Sequence, residues 1–353
     1  MKLKDLGFND WFEKEAEKSQ DKEYSLARIT AVYKNQFEIR NEKATVVSEI
    51  TGKLIYEAAL KADFPTVGDW VRVQYFNEET LAIIHSIIPR KSVLKRKMAG
   101  NSVEFQLIAA NIDTAFIIQA SDYDFNIARL ERYLNMINEA GIEPVILLSK
   151  TDLISLEDLK QITSDITNVS PFSKIIAFSN KTGQGLSEIK NIIMPGKTYC
   201  LLGSSGVGKT TLLNNLIGEG LYATDAVRKD GKGRHITTRR QLIILKDGGL
   251  IVDTPGMREL GNIGINAGIK ETFSDIYDLA KECKYKNCTH TVEPGCKILE
   301  SVKEDLLNEK HYQNFLKLQK ESKHYEMTYQ EKRKKDHGFG KFIKQAMKNN
   351  KKV

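Results

Sequence analysis

A glycine-rich segment in the middle of the chain carries the strongest chemical signal. Residues 203–210 match G-x-x-x-x-G-K-[ST], with an apolar run before them and leucines at helical spacing after them. In a strand–loop–helix context, backbone N–H groups surround phosphate oxygens and the helix adds its positive N-terminal end. Lys209 is expected to reach the β- and γ-phosphates and Thr210 to bind Mg²⁺. The predicted phosphate-binding residues are Gly203, Ser204, Ser205, Gly206, Val207, Gly208, Lys209, Thr210 and Thr211.

A second motif follows at the end of an apolar, strand-like run. Asp253 and Gly256 form a D-x-x-G pattern, in which Asp253 is expected to hold Mg²⁺ through water and the Gly256 N–H to contact the γ-phosphate. Between the two motifs lies a polar stretch that contains Thr237 and Thr238. Either hydroxyl fits the role of completing the Mg²⁺ shell in a switch loop, and we favour Thr238. An ordinary surface loop is the alternative for this stretch.

Two motifs upstream of the glycine-rich loop have the chemistry of nucleobase recognition. Ser149-Lys150-Thr151-Asp152 resembles N-K-x-D, whose carboxylate accepts from N1–H and the N2 amine of guanine, a pair that adenine does not offer. Asp152 is expected to provide this carboxylate and Lys150 to pack along the base. Ser149 replaces the Asn that ties the base loop to the phosphate loop, so we expect looser binding with guanine preference retained. Ser179-Asn180-Lys181 is expected to present a backbone N–H to guanine O6.

The cysteines indicate a metal site. Cys283, Cys288, His290 and Cys296 form the pattern C-x4-C-x-H-x5-C, and three thiolates with one imidazole suit tetrahedral Zn²⁺. Four protein ligands leave no open catalytic position, so the predicted zinc is structural. Free thiols beside an unrelated histidine are the alternative. Cys200, the remaining cysteine, is expected to be a core strand residue.

The segment before Lys91 has the pattern of a small β-barrel. Short runs rich in Val, Ile and Tyr, separated by turn residues, predict six strands. Five or six such strands in about ninety residues favour an OB-fold, a barrel that often binds oligonucleotides. The predicted strands are residues 26–33, 36–40, 44–48, 53–59, 69–75 and 81–87.

The middle of the chain alternates strands with helices. A basic linker is predicted at residues 91–111, and from residue 112 onward the alternation indicates a mostly parallel, doubly wound sheet. Beyond about residue 268 the pattern is helical and contains the cysteine cluster. The predicted α/β strands are residues 112–120, 144–148, 174–178, 199–202, 241–245 and 250–252.

Charge is concentrated at the end of the chain. The 353 residues carry a net charge of +7, of which residues 332–353 contribute nine Lys or Arg and one Asp, or +8, so the remainder is about −1. A basic tail on a neutral body favours a polyanionic partner such as nucleic acid, and a solvated disordered tail is the alternative. No apolar run approaches the roughly 18 residues of a membrane span, and the N-terminus lacks the pattern of a signal peptide. We therefore expect a cytoplasmic protein.

The order of the motifs is unusual, because the base motifs precede the phosphate loop. In this the chain resembles the circularly permuted GTPases, and more specifically the ribosome small-subunit-dependent GTPase A (RsgA) family. A short linker, Met194-Pro195-Gly196, then joins the ends of the unpermuted domain. Besides the phosphate loop and the cysteine cluster, the resemblance rests on Gly233-Arg234-His235, Thr237-Thr238, Asp253 to Gly256, Val67-Gly68-Asp69-Trp70-Val71 and Pro89-Arg90-Lys91-Ser92.

This resemblance implies a GTP hydrolase that is stimulated by the small ribosomal subunit, acts late in its maturation and is released after hydrolysis. It implies GTP or GDP, Mg²⁺ and one structural Zn²⁺ as ligands. The expected partners are the small subunit and its rRNA, with no membrane and no DNA, and the expected oligomeric state is a monomer. Met257 stands where Ras-like proteins have a water-orienting Gln, so slow intrinsic hydrolysis is expected. His235 is the candidate catalytic group, with contact to RNA or simple solvation as alternatives.

The predicted architecture is an α/β P-loop GTPase domain with an N-terminal OB-like barrel and a C-terminal helical zinc-binding domain. Two other functions remain open at this stage: an RNA-binding assembly protein with a vestigial GTPase, and a P-loop ATPase or kinase. The predicted segments are 1–90 for the RNA-binding barrel, 91–111 for the basic linker, 112–265 for the permuted GTPase domain, 266–331 for the zinc-binding domain and 332–353 for the basic tail.

Overall fold

The computed structural model describes residues 1–18, 21–33, 36–97, 105–218, 240–253, 269–270 and 272–326. The chain forms two compact units, residues 1–261 and 262–353. The first unit contains the predicted barrel and the predicted α/β sheet, and the second contains the cysteine cluster.

The N-terminal region is a five-stranded barrel, as predicted. Its strands are β1 (Ser25–Val32), β2 (Phe37–Arg40), β3 (Thr45–Ile50), β4 (Trp70–Phe76) and β5 (Leu81–Ile87), preceded by helix α1 (Asp10–Lys18). The pairing order β1-β2-β3-β5-β4 closes because β4 also pairs with β1. Alternate residues point inward, so Ile29, Ile39, Val73 and Ile84 form the barrel core.

The predicted strand at residues 53–59 is wrong, because helix α2 (Gly52–Glu57) occupies most of it. The hydroxyl of Thr51 accepts a hydrogen bond from the backbone N–H of Leu54 and caps the helix. None of the α2 residues is buried, although Leu54 packs against the barrel core. The apolar residues of α2 resemble a strand in composition, but the cap at Thr51 favours a helix.

The segment predicted as a basic linker contains a hairpin. Strands β6 (Val93–Lys97) and β7 (Phe105–Ala110) pair antiparallel and form a separate two-stranded sheet. Leu94 and Leu107 are buried, whereas Lys95 lies partly exposed over the ring of Phe105. The many lysines and arginines of this segment obscured the alternation that marks a strand.

The α/β region follows the predicted order of strands and helices. Strands β8 to β11 and β13 are parallel, and β12 lies antiparallel beside β13, in the order β10-β9-β8-β11-β13-β12. All seven residues of β8 are buried, which explains why five of them are apolar. The elements are β8 (Thr114–Ala120), α3 (Ile127–Glu139), β9 (Glu143–Ser149), α4 (Leu156–Val169), β10 (Lys174–Ala177), α5 (Leu186–Asn191), β11 (Thr198–Leu202), α6 (Lys209–Ile217), β12 (Arg240–Ile244) and β13 (Leu250–Asp253).

The barrel and the α/β sheet share backbone pairing. Ala31 of β1 lies opposite Gln241 of β12, and Val32 lies opposite Arg240, so eleven strands form one continuous sheet. The guanidinium of Arg240 also donates to the carbonyl of Leu107 in β7. The strand that follows the predicted switch segment is therefore hydrogen-bonded to the barrel.

The second unit is helical in its described part. It contains α7 (Ser274–Ala280), α8 (Lys297–Lys303) and α9 (Glu309–Glu326). Phe273 and Phe315 pack with their ring centroids 5.5 Å apart, and both are buried. Among the helices that the structure describes in either unit, none has the length and apolar character needed to span a bilayer.

Candidate nucleotide-binding site and metal centre

The predicted phosphate loop lies between β11 and α6, at the carboxyl edge of the parallel strands. At Gly203, where φ is 149°, a Cβ atom would lie 2.4 Å from the carbonyl oxygen of Ile118 in β8. A side chain at this position would therefore push the loop away from the sheet. The close packing places residues 203–208 directly above the strand ends, where α/β proteins bind ligands.

Lys209 and Asp253 form the charged part of this loop region. The ammonium group of Lys209 donates to the carbonyls of Gly203 and Ser204, so it lies across the loop. Burial raises the pKa of Asp253 at the end of β13 to about 6, and the positive charge of Lys209 opposes this rise. The charge of Lys209 therefore acts on the Asp253 carboxyl. Thr210 lies exposed in the first turn of α6.

Ser149 connects the base loop to the phosphate loop. Its side chain is fully buried, and its hydroxyl donates a 2.7 Å hydrogen bond to the carbonyl of Val207. The tie that the Asn-to-Ser replacement was expected to weaken is therefore made by the serine itself.

The other base-loop residues are held in defined directions. Lys150 has φ 60° and precedes a short 3₁₀ turn, Thr151–Leu153, and its ammonium lies 2.9 Å from Oδ2 of Asp122. Burial favours a higher pKa for Asp122, but the hydrogen bond and charge of Lys150 outweigh it and hold that pKa below its usual range. Asp152 is exposed, and its Oδ1 accepts a 2.6 Å hydrogen bond from the hydroxyl of Ser179. The motifs after β9 and β10 therefore meet at the residue expected to recognise guanine.

The loop after β8 contributes residues that the motifs did not predict. Oδ2 of Asp124 accepts a 2.9 Å hydrogen bond from the hydroxyl of Ser204 in the phosphate loop and also lies 3.0 Å from Arg129. Asp122, in the same loop, contacts Lys150. The sequence could have predicted both residues, because they directly follow a fully buried strand of a parallel sheet, whose carboxyl end is where ligands bind.

Several predicted residues lie outside the part of the chain that the structure describes. They include the two candidate switch threonines, the candidate catalytic histidine, the glycine of D-x-x-G and the basic tail. These residues are Thr237, Thr238, His235, Gly256 and 332–353.

The four predicted zinc ligands come together in the second unit. Their ligand atoms all lie within 4.8 Å of one another. Sγ of Cys283 lies 3.9 Å from Sγ of Cys296, and Nδ1 of His290 lies 3.6 and 3.7 Å from these two sulfurs. A tetrahedral zinc with ordinary bond lengths separates two sulfurs by about 3.8 Å and a sulfur from a nitrogen by about 3.6 Å. Together with Cys288, these residues fit Zn²⁺.

The loop around the metal centre is held by its own hydrogen bonds. His290 has φ 61°, and its carbonyl accepts a 2.6 Å hydrogen bond from the hydroxyl of Tyr312 in α9. Lys284 donates its backbone N–H to the carbonyl of Gly295, just before the last ligand. Such contacts orient the four side chains that would hold the ion.

The parallel sheet, the phosphate loop and the base motifs that precede it in the chain define a circularly permuted GTPase. The family model described as RsgA GTPase matches residues 87–263. The chain belongs to the RsgA GTPase family and is a GTP-hydrolysing enzyme.

The relatives span most of the chain. The small ribosomal subunit biogenesis GTPase RsgA 2 of Lactiplantibacillus plantarum is 42% identical over 306 residues, covering 86% of this chain and 84% of that protein. RsgA 1 of Listeria innocua is 39% identical over 323 residues, covering 91% and 89%. The crystal structure of YjeQ from Thermotoga maritima matches with a TM-score of 0.62 at 24% identity, covering 84% of this chain and 98% of that one. The structure titled YloQ, a circularly permuted GTPase, matches with a TM-score of 0.61 at 23% identity, covering 87% and 97%.

Proposed function

We propose that this enzyme hydrolyses GTP during late maturation of the small ribosomal subunit, that the subunit stimulates hydrolysis, and that hydrolysis leads to release. The observation that carries the nucleotide part is the arrangement of Asp152, Ser179 and Lys209 at one edge of the parallel sheet. The ribosomal part is supported by the relatives' names, which describe small ribosomal subunit biogenesis GTPases.

In this proposal each part of the site has one task. The base loops Ser149 to Asp152 and Ser179 to Lys181 bind guanine, and residues 203–211 bind the phosphates. Thr210 would bind Mg²⁺, and Asp253 would hold it through water. Thr237 or Thr238 completes the metal shell when the γ-phosphate is present, and the Gly256 N–H contacts that phosphate. When bound, GTP would supply the phosphoanhydride bond that is cleaved, and Mg²⁺ would neutralise negative charge on its phosphate oxygens.

The remaining regions would contact the partner. The barrel, the zinc-binding unit and the basic tail offer surfaces for rRNA, and the tail's net charge of +8, nine basic minus one acidic residue, suits a polyanion. With a ribosomal partner the enzyme would act in the cytoplasm, and we propose that it does so as a monomer.

The decisive measurement is GTP turnover with and without purified small ribosomal subunits. We expect slow turnover alone, a large stimulation by the subunit, and no turnover by the Lys209→Ala variant in either condition. Equal rates with and without subunits would contradict the proposed partner. Tighter binding of ATP than of GTP, measured by competition for the nucleotide site, would contradict GTP as the substrate.

The catalytic role of His235 has its own test. The His235→Ala variant should bind GTP normally and lose most of the subunit-stimulated rate. An unchanged stimulated rate would remove His235 from catalysis without affecting the rest of the proposal.

A further inference from the structure

The two base loops are attached to two consecutive carbonyl groups of the phosphate loop. From the loop after β9, the Ser149 hydroxyl donates to the carbonyl of Val207 at 2.7 Å. From the loop after β10, the Asn180 amide nitrogen donates to the carbonyl of Gly208 at 3.1 Å. The phosphate loop is thus held from two different loops at adjacent peptide groups.

Asn180 extends this connection into the helix that follows. Because a carbonyl oxygen can only accept, the amide nitrogen of Asn180 faces Gly208, and its Oδ1 is left to accept. Oδ1 does accept, from the amide nitrogen of Asn215 in α6 at 3.1 Å. The carbonyl of Gly208 also receives the backbone N–H of Leu212, the first bond of α6. Asn180 therefore joins the loop after β10 to both the start and the last turn of α6.

The approach of Asn180 depends on the glycine that it contacts. A Cβ atom at Gly208 would lie 2.7 Å from Nδ2 of Asn180, and Gly208 has φ 93°. Any side chain at position 208 would push Asn180 away, quite apart from backbone strain.

The residue beside Asn180 contacts the base-recognition carboxylate. Ser179 donates to Oδ1 of Asp152. Two consecutive residues thus link Asp152 to the phosphate loop, which lies on the other side of the expected nucleotide. A guanine nucleotide must contact both sides at once, so the relative position of the two loops determines how well both contacts form.

We propose that Asn180 is a positioning residue that sets the place of Asp152 relative to the phosphate loop and so determines specificity for guanine nucleotides. It touches the loop and the helix, and its effect on the base passes through Ser179 and Asp152. This inference rests on the proposed nucleotide site.

The test compares Asn180→Ala with Asn191→Ala, an exposed asparagine at the end of α5. GDP and inosine diphosphate, which lacks the N2 amine, are the probes. Asn180→Ala should release GDP about tenfold faster than the unaltered protein, the usual effect of losing a hydrogen bond. Its preference for GDP over inosine diphosphate should shrink, because a displaced Asp152 no longer engages N1–H and the N2 amine together. Asn215→Ala should show a smaller change in the same direction, and Asn191→Ala none.

The outcomes separate the inference from the proposed function. Failure of the unaltered protein to prefer GDP over ADP would overturn the proposed site and this inference with it. Normal GDP binding by the unaltered protein, with an unchanged ratio of GDP to inosine diphosphate affinity in Asn180→Ala, would overturn the inference alone. A lower melting temperature of Asn180→Ala would not support the inference by itself. A residue with a purely structural role also lowers stability, but it does not change the discrimination between the two bases.

Discussion

The hydroxyl of Ser179 donates a 2.6 Å hydrogen bond to Oδ1 of Asp152. Ser179 is fully buried, whereas Asp152 is exposed. The backbone N–H groups of Lys181 and Thr182 both donate to the Ser179 oxygen at 3.2 Å, which fixes the direction of the hydroxyl proton toward Asp152. The carboxylate is therefore oriented before any base arrives, and preorganisation of this kind favours specific binding.

The Asp152→Asn variant should exchange guanine specificity for xanthine specificity. Guanine presents two donors to this position, and an amide offers only one acceptor beside one donor. Xanthine has a carbonyl where guanine has its N2 amine, so the amide matches it. We expect GDP affinity to fall by about 100-fold or more, because a charged contact is lost and two donors face each other. Competition between GDP and xanthosine diphosphate measures the exchange.

A matched control for this variant is Asp158→Asn. Asp158 is an exposed carboxylate in the first turn of α4, hydrogen-bonded to Ser155. The Asp158→Asn variant should leave GDP affinity unchanged. Unchanged GDP affinity in Asp152→Asn as well would mean that Asp152 does not recognise the base.

Arg28 is a buried cation that joins three segments of the first unit. Its guanidinium donates to the carbonyls of Leu6, Gly68 and Asn111 at 2.5, 3.2 and 3.1 Å. Burial lowers its pKa to about 10, which leaves it charged at neutral pH. Arg28→Met should lower the free energy of unfolding by about 3 kcal/mol or more, since the Leu6 and Asn111 carbonyls lose this donor.

Chemical denaturation at neutral pH measures this effect of Arg28. Arg40→Met is the control, because the Arg40 guanidinium is only half-buried and donates to the side chain of Thr45 on the neighbouring strand. The Arg40→Met variant should lose less than about 1 kcal/mol of unfolding free energy. Equal losses in the two variants would refute the claim that Arg28 holds the segments together.

The linker between the permuted ends lies against the N-terminal turn. A Cβ atom at Gly196 would lie 2.7 Å from the carbonyl oxygen of Lys4, and Gly196 has φ 70°. Gly141, at the end of α3, has a similar φ of 65° and nothing within 4 Å of such a Cβ. Gly141→Ala should therefore lower the free energy of unfolding by about 1 kcal/mol, from backbone strain alone. Gly196→Ala should lower the free energy of unfolding further, by about 2–3 kcal/mol, because the N-terminal turn must move as well. Thermal unfolding of the two variants compares them, and a smaller loss at Gly196 would contradict the close packing.

The sequence predicted those elements that depend on residues close together in the chain. The strand that became β8 was evident because every residue of Thr114–Ala120 is buried and four apolar residues, 115–118, stand in a row. The zinc ligands were evident because they lie within fourteen residues, counting from Cys283 to Cys296, and need no distant partner. The helix at Gly52–Glu57 was missed because Ile55 and Tyr56 are exposed rather than buried on a helical face, and because its cap, Thr51, is a weak signal.

Long-range contacts were beyond the reach of local patterns. No local property of Ala31 or Gln241 indicates that they lie opposite each other, because about 210 residues separate them along the chain. The tie from Asn180 to Gly208 was missed for a related reason. The predicted role of residues 179–181 used the backbone alone, and the side chain of Asn180 finds its partner only once β10 and β11 lie in one sheet.

The metal centre gives the last prediction. The purified protein should contain one Zn²⁺ per chain, and Cys288→Ser should lose it, because a neutral hydroxyl is a poor ligand for zinc beside three N or S donors. Since four protein ligands hold the ion, its loss should destabilise the second unit, where Tyr312 reaches the His290 carbonyl. Cys200→Ala is the matched control, because Cys200 lies buried in β11, apart from the cluster. It should keep one zinc per chain in a metal-content assay, even if the cavity that it creates lowers the unfolding temperature. A full zinc content in Cys288→Ser would show that the four ligand atoms, despite their separations of 4.8 Å or less, do not form the site.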